Sequence, residues 1–599
     1  MAYSQPGIFN VLDDWGAGPM VPGNPSAAVS NALALQATIG AAQAYCASSP
    51  PGGPMYGATV LIPSNDAVPI EGSPLSDGDG GTYFIQGAAG VPAIKILCSY
   101  PILFLGTGNG SMLIAQKPID DVHYQDLFVI YNTQESGYFA NANAGGVSFE
   151  NLQIKYDNQT SDTVAAIRVL GGSQNVRLFR MVLSDCPIGV ALDDSLQCSI
   201  IDCQIQFDKP VFTAAVTLGT ADTRATETYI AACTFEASDH GEQVGIGLWI
   251  MQADQVRVVN TRIEAFEQGI LFQTPGDASR VFFKDVTVYP TSTHAGTGAA
   301  LLIQPSIGAS VTQAVFMGCF LNRTLDAKGR DMYTGPGVLL DESSGGGTID
   351  QVRFVSCYAC KWDGPGLQIN GGSNIEVIGG YFSCNAGFES LPSDLPPPAG
   401  IAITAVNVDV NGVRIVGAGC NNSFYQGGSD SSGAPEPATQ LYGIYIQNAG
   451  KGIASNILIS GCDLTGNLAY AVGIDASETS EGAGITDLFI RRCNFTGSGI
   501  SAVQVVGSPE AQITDCAGYN DQAKVLLTVA PVNGSTITNV GVRYYGPVAF
   551  YVSTVVGLTI AVDGEPTGLT SGGFTLGSGE FAVLAWTGLV PPPFLMVGK

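Results

Sequence analysis

The chain is short of charge, above all of positive charge. Lys and Arg number 24 and Asp and Glu 51 in 599 residues, so charged side chains are 13% of the sequence and the net charge is −27. Globular proteins usually carry roughly 25%. With so few cations and no basic stripe, nothing is present to neutralise phosphates. That excludes nucleic acid and an anionic membrane surface as partners. A long apolar run is also missing. The most apolar stretch, 547–562, carries Ser, Thr and Gly and falls short of the roughly 18–20 residues a span needs. Residues 1–10 have no basic n-region and no apolar h-region, so no secretory signal is expected and the sequence reads as soluble. No Gly-x-Ser-x-Gly elbow stands between a strand and a helix, and the Gly-rich run 343–347 lacks the Lys-Ser/Thr of a phosphate loop.

What the chain has instead is glycine and apolar bulk. Gly numbers 77, and 45% of residues are hydrophobic. Such a chain can bury a large core, which excludes wholesale disorder. One helix is expected over 26–48, with Ser26 as N-cap, and strands over 58–63 and 81–86. From about residue 146 short apolar-x-apolar-x strands recur between Gly, Asn, Asp and Ser. One column holds Ile167, Val190, Val216, Ile246, Ile270, Leu301, Val338, Leu367, Ile401, Ile444, Val472 and Val503. A second begins at Cys203, Cys233, Thr261, Val286, Cys319, Cys357, Cys462 and Cys493, with spacings of 30, 28, 25, 33 and 38 residues among the first six.

Self-similarity at a 20–50-residue period, with short strands and no intervening helices, is the signature of a solenoid. The expected fold is therefore all-β: a right-handed parallel β-helix with an N-terminal capping helix and a short C-terminal β element. The expected divisions are 1–110 (leading segment, helix and first coils), 111–535 (β-helix) and 536–599 (terminal β cap or trimerisation element). Six of the 14 cysteines share one inward position, which reads as a ladder of buried free thiols. Zinc at Cys357 and Cys360 is disfavoured, because no second C-x-x-C or His pair accompanies them.

The runs FNVLDDWGA (9–17), NALALQA (31–37), ATVLIP (58–63) and GTYFI (81–85) resemble the pectate-lyase-like β-helix superfamily, especially its phage tailspike and polysaccharide depolymerase branch. The sequence departs from that pattern at 18–24, where GPMVPGN stands in place of the family's Gly-Asp-Gly and Asp-Asp-Thr. Residues 564–576 resemble tailspike trimerisation elements. The resemblance implies a homotrimer, located on a virion tail or outside cells, that binds and often cleaves a bacterial surface polysaccharide. It implies no particular catalytic position.

Glycoside hydrolysis needs two carboxylates about 5–5.5 Å apart for retention or about 6.5–9.5 Å for inversion. Coils of a parallel β-helix stack at about 4.8 Å, so equivalent outward positions on neighbouring coils suit this chemistry. Position four of the second column gives Gln206, Glu236, Glu264 and Tyr289. Glu236 and Glu264 are the candidate catalytic pair, with Asp239 nearby, and their like charges are expected to raise one pKa. Trp249, Arg262, His240, Asp208 and Glu267 are candidate substrate contacts. Asp193, Asp341 and Asp475 are expected to point outward on the first column. No cofactor is expected, although carboxylates could gather a divalent cation such as calcium. Two alternatives stay open: a non-catalytic glycan receptor-binding or structural spike, and a polysaccharide lyase, which scarce Lys and Arg disfavour. The two irregular insertions, 385–400 and 421–440, are candidate binding loops.

Overall fold

The computed structural model describes residues 7–50, 56–64, 82–88, 91–107, 111–118, 124–132, 146–157, 163–208, 211–237, 244–273, 275–290, 299–322, 335–360, 362, 364–385, 396–422, 440–449, 451–477, 484–507, 509–519, 535–538, 548–552, 556–576, 581–587 and 594–598. Asp239, His240 and most of both insertions lie outside the described residues.

The chain forms two compact units, one of 1–333 with 345–348 and one of 334–344 with 349–599. In the first, three faces of parallel strands follow one another around each coil. One coil runs Arg177–Phe179 (face I), Val182–Ser184 (face II) and Ile188–Leu192 (face III). The next runs Ser199–Ile201, Gln204–Phe207 and Val211–Leu218. Each strand pairs in parallel with its counterpart one coil on, as Leu178 with Ile200, Leu183 with Ile205 and Val190 with Val216. Parallel pairing with no helix between strands makes this a parallel β-helix. The second unit repeats the scheme. Val338, Leu367, Ile401, Ile444, Val472 and Val503 all continue one register within it. Its face II is reduced, among the described residues, to single bridges through Tyr358, Tyr381, Gly419, Asp463, Asn494 and Ala517.

A left-handed backbone residue makes the corner between faces I and II. Arg180, Asp202, Ala232, Asn260 and Asp285 have φ between 48° and 54°, and Gly318 stands at 62°. Five non-glycine residues thus accept a conformation that L side chains rarely adopt, which shows how strongly the stacked coils impose it. The next residue points inward at every corner: Met181, Cys203, Cys233, Thr261, Val286 and Cys319, all buried. The cysteines do more than fill space. The thiols of Cys203, Cys233, Cys319, Cys357, Cys462, Cys493 and Cys516 donate to the carbonyl two residues earlier at 3.2–3.6 Å. Thr261 Oγ1 does the same at 3.1 Å. The small polar-tipped side chain thus satisfies a carbonyl on the far side of the corner. None of the 14 cysteines forms a disulfide.

The interior between faces is packed with aligned apolar side chains. Phe104 stacks on Phe149 (centroids 4.6 Å apart) and Phe283 on Phe316 (4.9 Å), each pair from registered strands. Side chains that repeat at one coil position stack on their own kind, which brings dispersion and aromatic contact together.

The N-terminal helix spans Ala28–Ala47, after a 3-10 turn Pro25–Ala27. Ser26 is not the N-cap as expected: Asn24 caps the 3-10 turn, its Oδ1 accepting from Ser26 N at 3.0 Å, and Ala27 precedes the helix proper without a side-chain cap. Proline at 25 suits the first turn, moving the start forward. Gln36 bonds the edge strand Ile94–Leu97 at both polar groups of Lys95: its Nε2 donates to the carbonyl (3.0 Å) and its Oε1 accepts from the N–H (2.8 Å). Buried Asn31 likewise bonds Val21 and Phe84. Side-chain amides thus stand in for the missing preceding coil and close an edge that would otherwise invite another strand. At the other terminus the pairing turns antiparallel, with Ser535–Thr538, Thr559–Val562, Glu565–Pro566 and Phe581–Ala585 in one sheet. Val548–Val552, Gly572–Leu576 and Phe594–Gly598 form another.

One register differs from expectation. Leu248, not Ile246, pairs with Val216, because the apolar alternation Val244, Ile246, Leu248, Ile250 fits either register. A slip of two residues leaves every side chain on its original side of the strand.

Burial drives the thiols of Cys186 and Cys420 well above their ordinary pKa and that of Cys198 to about 12. A thiol that ionises harder folded than unfolded stabilises the fold fully below the unfolded value of about 8.5. That contribution is lost as pH rises from there toward about 12. The melting temperature should therefore fall between pH 8.5 and 10, fall less in Cys198→Ala, and not respond to reducing agent. Circular dichroism melts would check all three.

Candidate functional site

Face II carries the candidate pair. Strands Thr234–Ala237 and Arg262–Glu264 are registered with Phe235 opposite Ile263 and Glu236 opposite Glu264. Phe235 and Ile263 are buried, so the alternation of the strand turns both glutamates outward. Glu236 is exposed and Glu264 half-buried. The same register extends the line both ways, from Lys155 through Ser184 and Gln206 to the pair and on to Tyr289. Six successive coils thus present a line of hydrogen-bonding side chains. Gln206 Nε2 donates to Ser184 Oγ at 3.0 Å, and Gln204 Nε2 to Gln206 Oε1 at 2.9 Å. Lys155 and Ser184 were not singled out from sequence. Carrying the strand register back two coils is the signal that finds them.

The like-charge pressure expected between the two glutamates meets a counter-charge. Arg262, two residues before Glu264 on the same outward side, is exposed and ion-pairs with it through Nη2 and Oε2. Glu264 is thereby held by a cation, while Glu236 has no ion pair among the described residues. The other candidates are less convergent. Asp208 is exposed at the end of Gln204–Phe207, its N–H bonded to Asp185 Oδ1 at 2.8 Å. Glu267 is half-buried beyond Phe266. Trp249 is half-buried on face III, registered with Thr217 and Leu271, with Nε1 shut off from water and unpartnered among the described residues. The structure therefore brings Glu236, Glu264 and Arg262 together and sets Trp249 on a different face. Among the described residues no group of three or more His, Cys, Asp or Glu side chains is placed to hold a metal ion.

The aspartates expected to point into solvent on the first column do not all do so. Asp193 is 6% exposed and Asp341 4%. Asp193 and Asp126 both ion-pair with Arg168. The outward side of face III is itself buried there, with Ala166, Ala191 and Ala215 at 0%, so alternation alone misjudges exposure. Burial raises the Asp193 pKa against the pull of Arg168. Asp341 Oδ1 accepts from the N–H and Oγ of Ser343 at 3.0 and 2.6 Å, capping the short helix Glu342–Gly345. Asp475 accepts from Tyr445 Oη at 3.2 Å.

No family model matches the sequence, and no curated protein matches it. Among solved structures it is similar to the tailspike protein of Escherichia coli bacteriophage HK620 in complex with pentasaccharide, at 13% identity and TM-score 0.43, over 99% of this chain and 92% of that one. It is also similar to the A-module of Azotobacter vinelandii mannuronan C-5 epimerase AlgE4 (13%, TM-score 0.36, 72% and 92%). A third is the catalytic unit of a Streptomyces thermodiastaticus GH87 α-1,3-glucanase (12%, TM-score 0.37, 87% and 70%). The assignment of the fold rests on the strand ladders themselves.

Removing Arg168 would leave two carboxylates facing each other with no cation. Arg168→Met should cost about 3–5 kcal/mol of stability, the range for breaking a buried pair. Denaturant unfolding would measure it, and Asp193→Asn should cost less because a neutral amide needs no counter-charge.

Proposed function

We propose that this protein is a tailspike-like depolymerase. It lays an extended bacterial surface polysaccharide along the polar line of face II and hydrolyses a glycosidic bond with Glu236 and Glu264. The observation that supports this reading is the placement of those two carboxylates in register on neighbouring coils, inside a line of hydrogen-bonding side chains. One carboxyl group protonates the leaving oxygen, and the other attacks the sugar or activates water. The coil spacing of about 4.8 Å is nearer the separation of about 5–5.5 Å used by retaining enzymes than the larger one of inverting enzymes. Arg262 orients Glu264, and Tyr289, on the next coil, offers a ring face to the adjoining sugar. The working form in this reading is a homotrimer on a virion tail. The similar solved structures named above include one tailspike bound to a pentasaccharide and one glucanase catalytic unit, in keeping with a polysaccharide ligand.

A second reading is binding without cleavage. The openness of the pair favours it: Glu236 is exposed, whereas an acid catalyst is usually desolvated. One experiment separates the two. The wild-type chain should release oligosaccharides from its polysaccharide, and Glu236→Gln with Glu264→Gln should lower release about 100-fold or more at unchanged melting temperature. Release that survives the double substitution refutes this site. Binding with no release by the wild type selects the second reading.

A further inference from the structure

A pocket of about 460 Å³ opens in the first unit at the corner where face III passes into face I. It is built by three successive coils. The short strands Ser195–Leu196, Ala225–Thr226 and Ala253–Asp254 are registered there, with Ser195 opposite Ala225 and Ala225 opposite Ala253. The residue ahead of each strand therefore comes once per coil: Asp194, Arg224, Gln252, all lining the pocket. Asp254, opposite Thr226, also lines it. This is a different corner from the one that carries Glu236 and Glu264, which belong to face II.

The pocket is preformed. Asp254 is 6% exposed and locked, its Oδ1 accepting from Arg280 Nε and Ser279 Oγ at 2.8 Å each. Gly276 makes room for Gln252: a Cβ there would stand 2.6 Å from the Gln252 amide carbon. On the preceding coil Gly219, at φ 73°, has no room for a side chain: a Cβ there would stand 2.0 Å from the Gln252 carbonyl oxygen. Two glycines thus shape the space around one glutamine.

Two polar atoms in this wall lack partners. Arg224 Nε and Gln252 Oε1 are shut off from solvent with no hydrogen bond among the described residues. A buried donor or acceptor left unpaired is costly, and here a donor and an acceptor stand on adjacent coils beside one cavity.

The chemistry of the wall narrows that ligand. Three aspartates, at 194, 222 and 254, face one lining arginine, which disfavours an anion. No aromatic side chain lines it, which disfavours a flat apolar ligand. No metal-binding group of side chains exists among the described residues. Adjacent sugar hydroxyls fit: they donate to the lining carboxylates and accept from the guanidinium. The volume lies within the roughly 300–1,000 Å³ typical of small-ligand sites. We propose that this pocket is a second carbohydrate site, taking one neutral sugar unit with adjacent free hydroxyls, separate from the polar line of face II.

The test uses the full chain and saturation-transfer NMR backed by calorimetry, with glucose, galactose, mannose and N-acetylglucosamine as probes and glucuronate as the anionic control. At least one neutral sugar should bind in the millimolar range, more tightly than glucuronate. Arg224→Gln and Gln252→Ala should each weaken it about tenfold, the loss of one good hydrogen bond. The exposed Asp222→Asn should weaken it as well and guards against a folding defect in the first two. Glu236→Gln with Glu264→Gln should leave this binding unchanged, so the pocket and the catalytic reading fail independently. The proposal is overturned if no neutral sugar binds, if glucuronate binds best, if binding survives all the pocket substitutions, or if the glutamate substitutions abolish it.

Discussion

Everything in this molecule depends on keeping successive coils in register at their corners. A parallel ladder saturates backbone groups only if every coil turns at the same place. Here the turn is a single left-handed residue followed by an inward side chain. The strain of non-glycine residues such as Asp202 and Ala232 at φ 53° and 54° is outweighed by the ladder bonds and the buried stack on either side. The inward residue completes the corner. A thiol or hydroxyl there reaches back to the carbonyl two residues earlier, which explains why cysteine and threonine share this column with plain apolar residues.

The same regularity produces continuous outward lines of side chains at no extra structural cost. A position that points out on one coil points out on the next, about 4.8 Å away. Single polar residues separated by about thirty positions in sequence therefore become a continuous line. Face II turns this into the run from Lys155 to Tyr289, and the corner between faces III and I turns it into the wall formed by Asp194, Arg224 and Gln252. A polymer with a repeating unit is the kind of ligand such lines match. The ends need separate solutions, because a ladder has no partner there. Side-chain amides of Gln36 and Asn31 serve at the start, and a change to antiparallel strands follows the last coil.

Much of this was legible in the sequence. The period, the inward cysteines and the outward glutamates follow from strand alternation, which local residues dictate. The limits have physical causes. The register slip between Val216 and Ile246 comes from the strand Val244–Ile250, whose apolar alternation reads equally well two residues away. Asp193 looked exposed because alternation says which side of a strand a residue occupies, not whether that side is covered. The side-chain cap moved from Ser26 to Asn24 because Pro25 opens a 3-10 turn ahead of the helix. The pocket had no motif at all, since its residues are three unlike side chains one coil apart.

What the sequence by itself determined is therefore periodic: the coil repeat, the inside and outside of each strand, and the adjacency of Glu236 and Glu264. These depend on a two-residue alternation and a repeat length, both local properties of the chain. Only the tertiary structure decided which outward positions are buried, that Arg262 is spent on Glu264, that Arg168 is shared by two aspartates, and that a cavity opens at Arg224 and Gln252. Those outcomes depend on where side chains from different coils end, and charge pairing, burial and empty volume are properties of that spatial arrangement rather than of any stretch of chain.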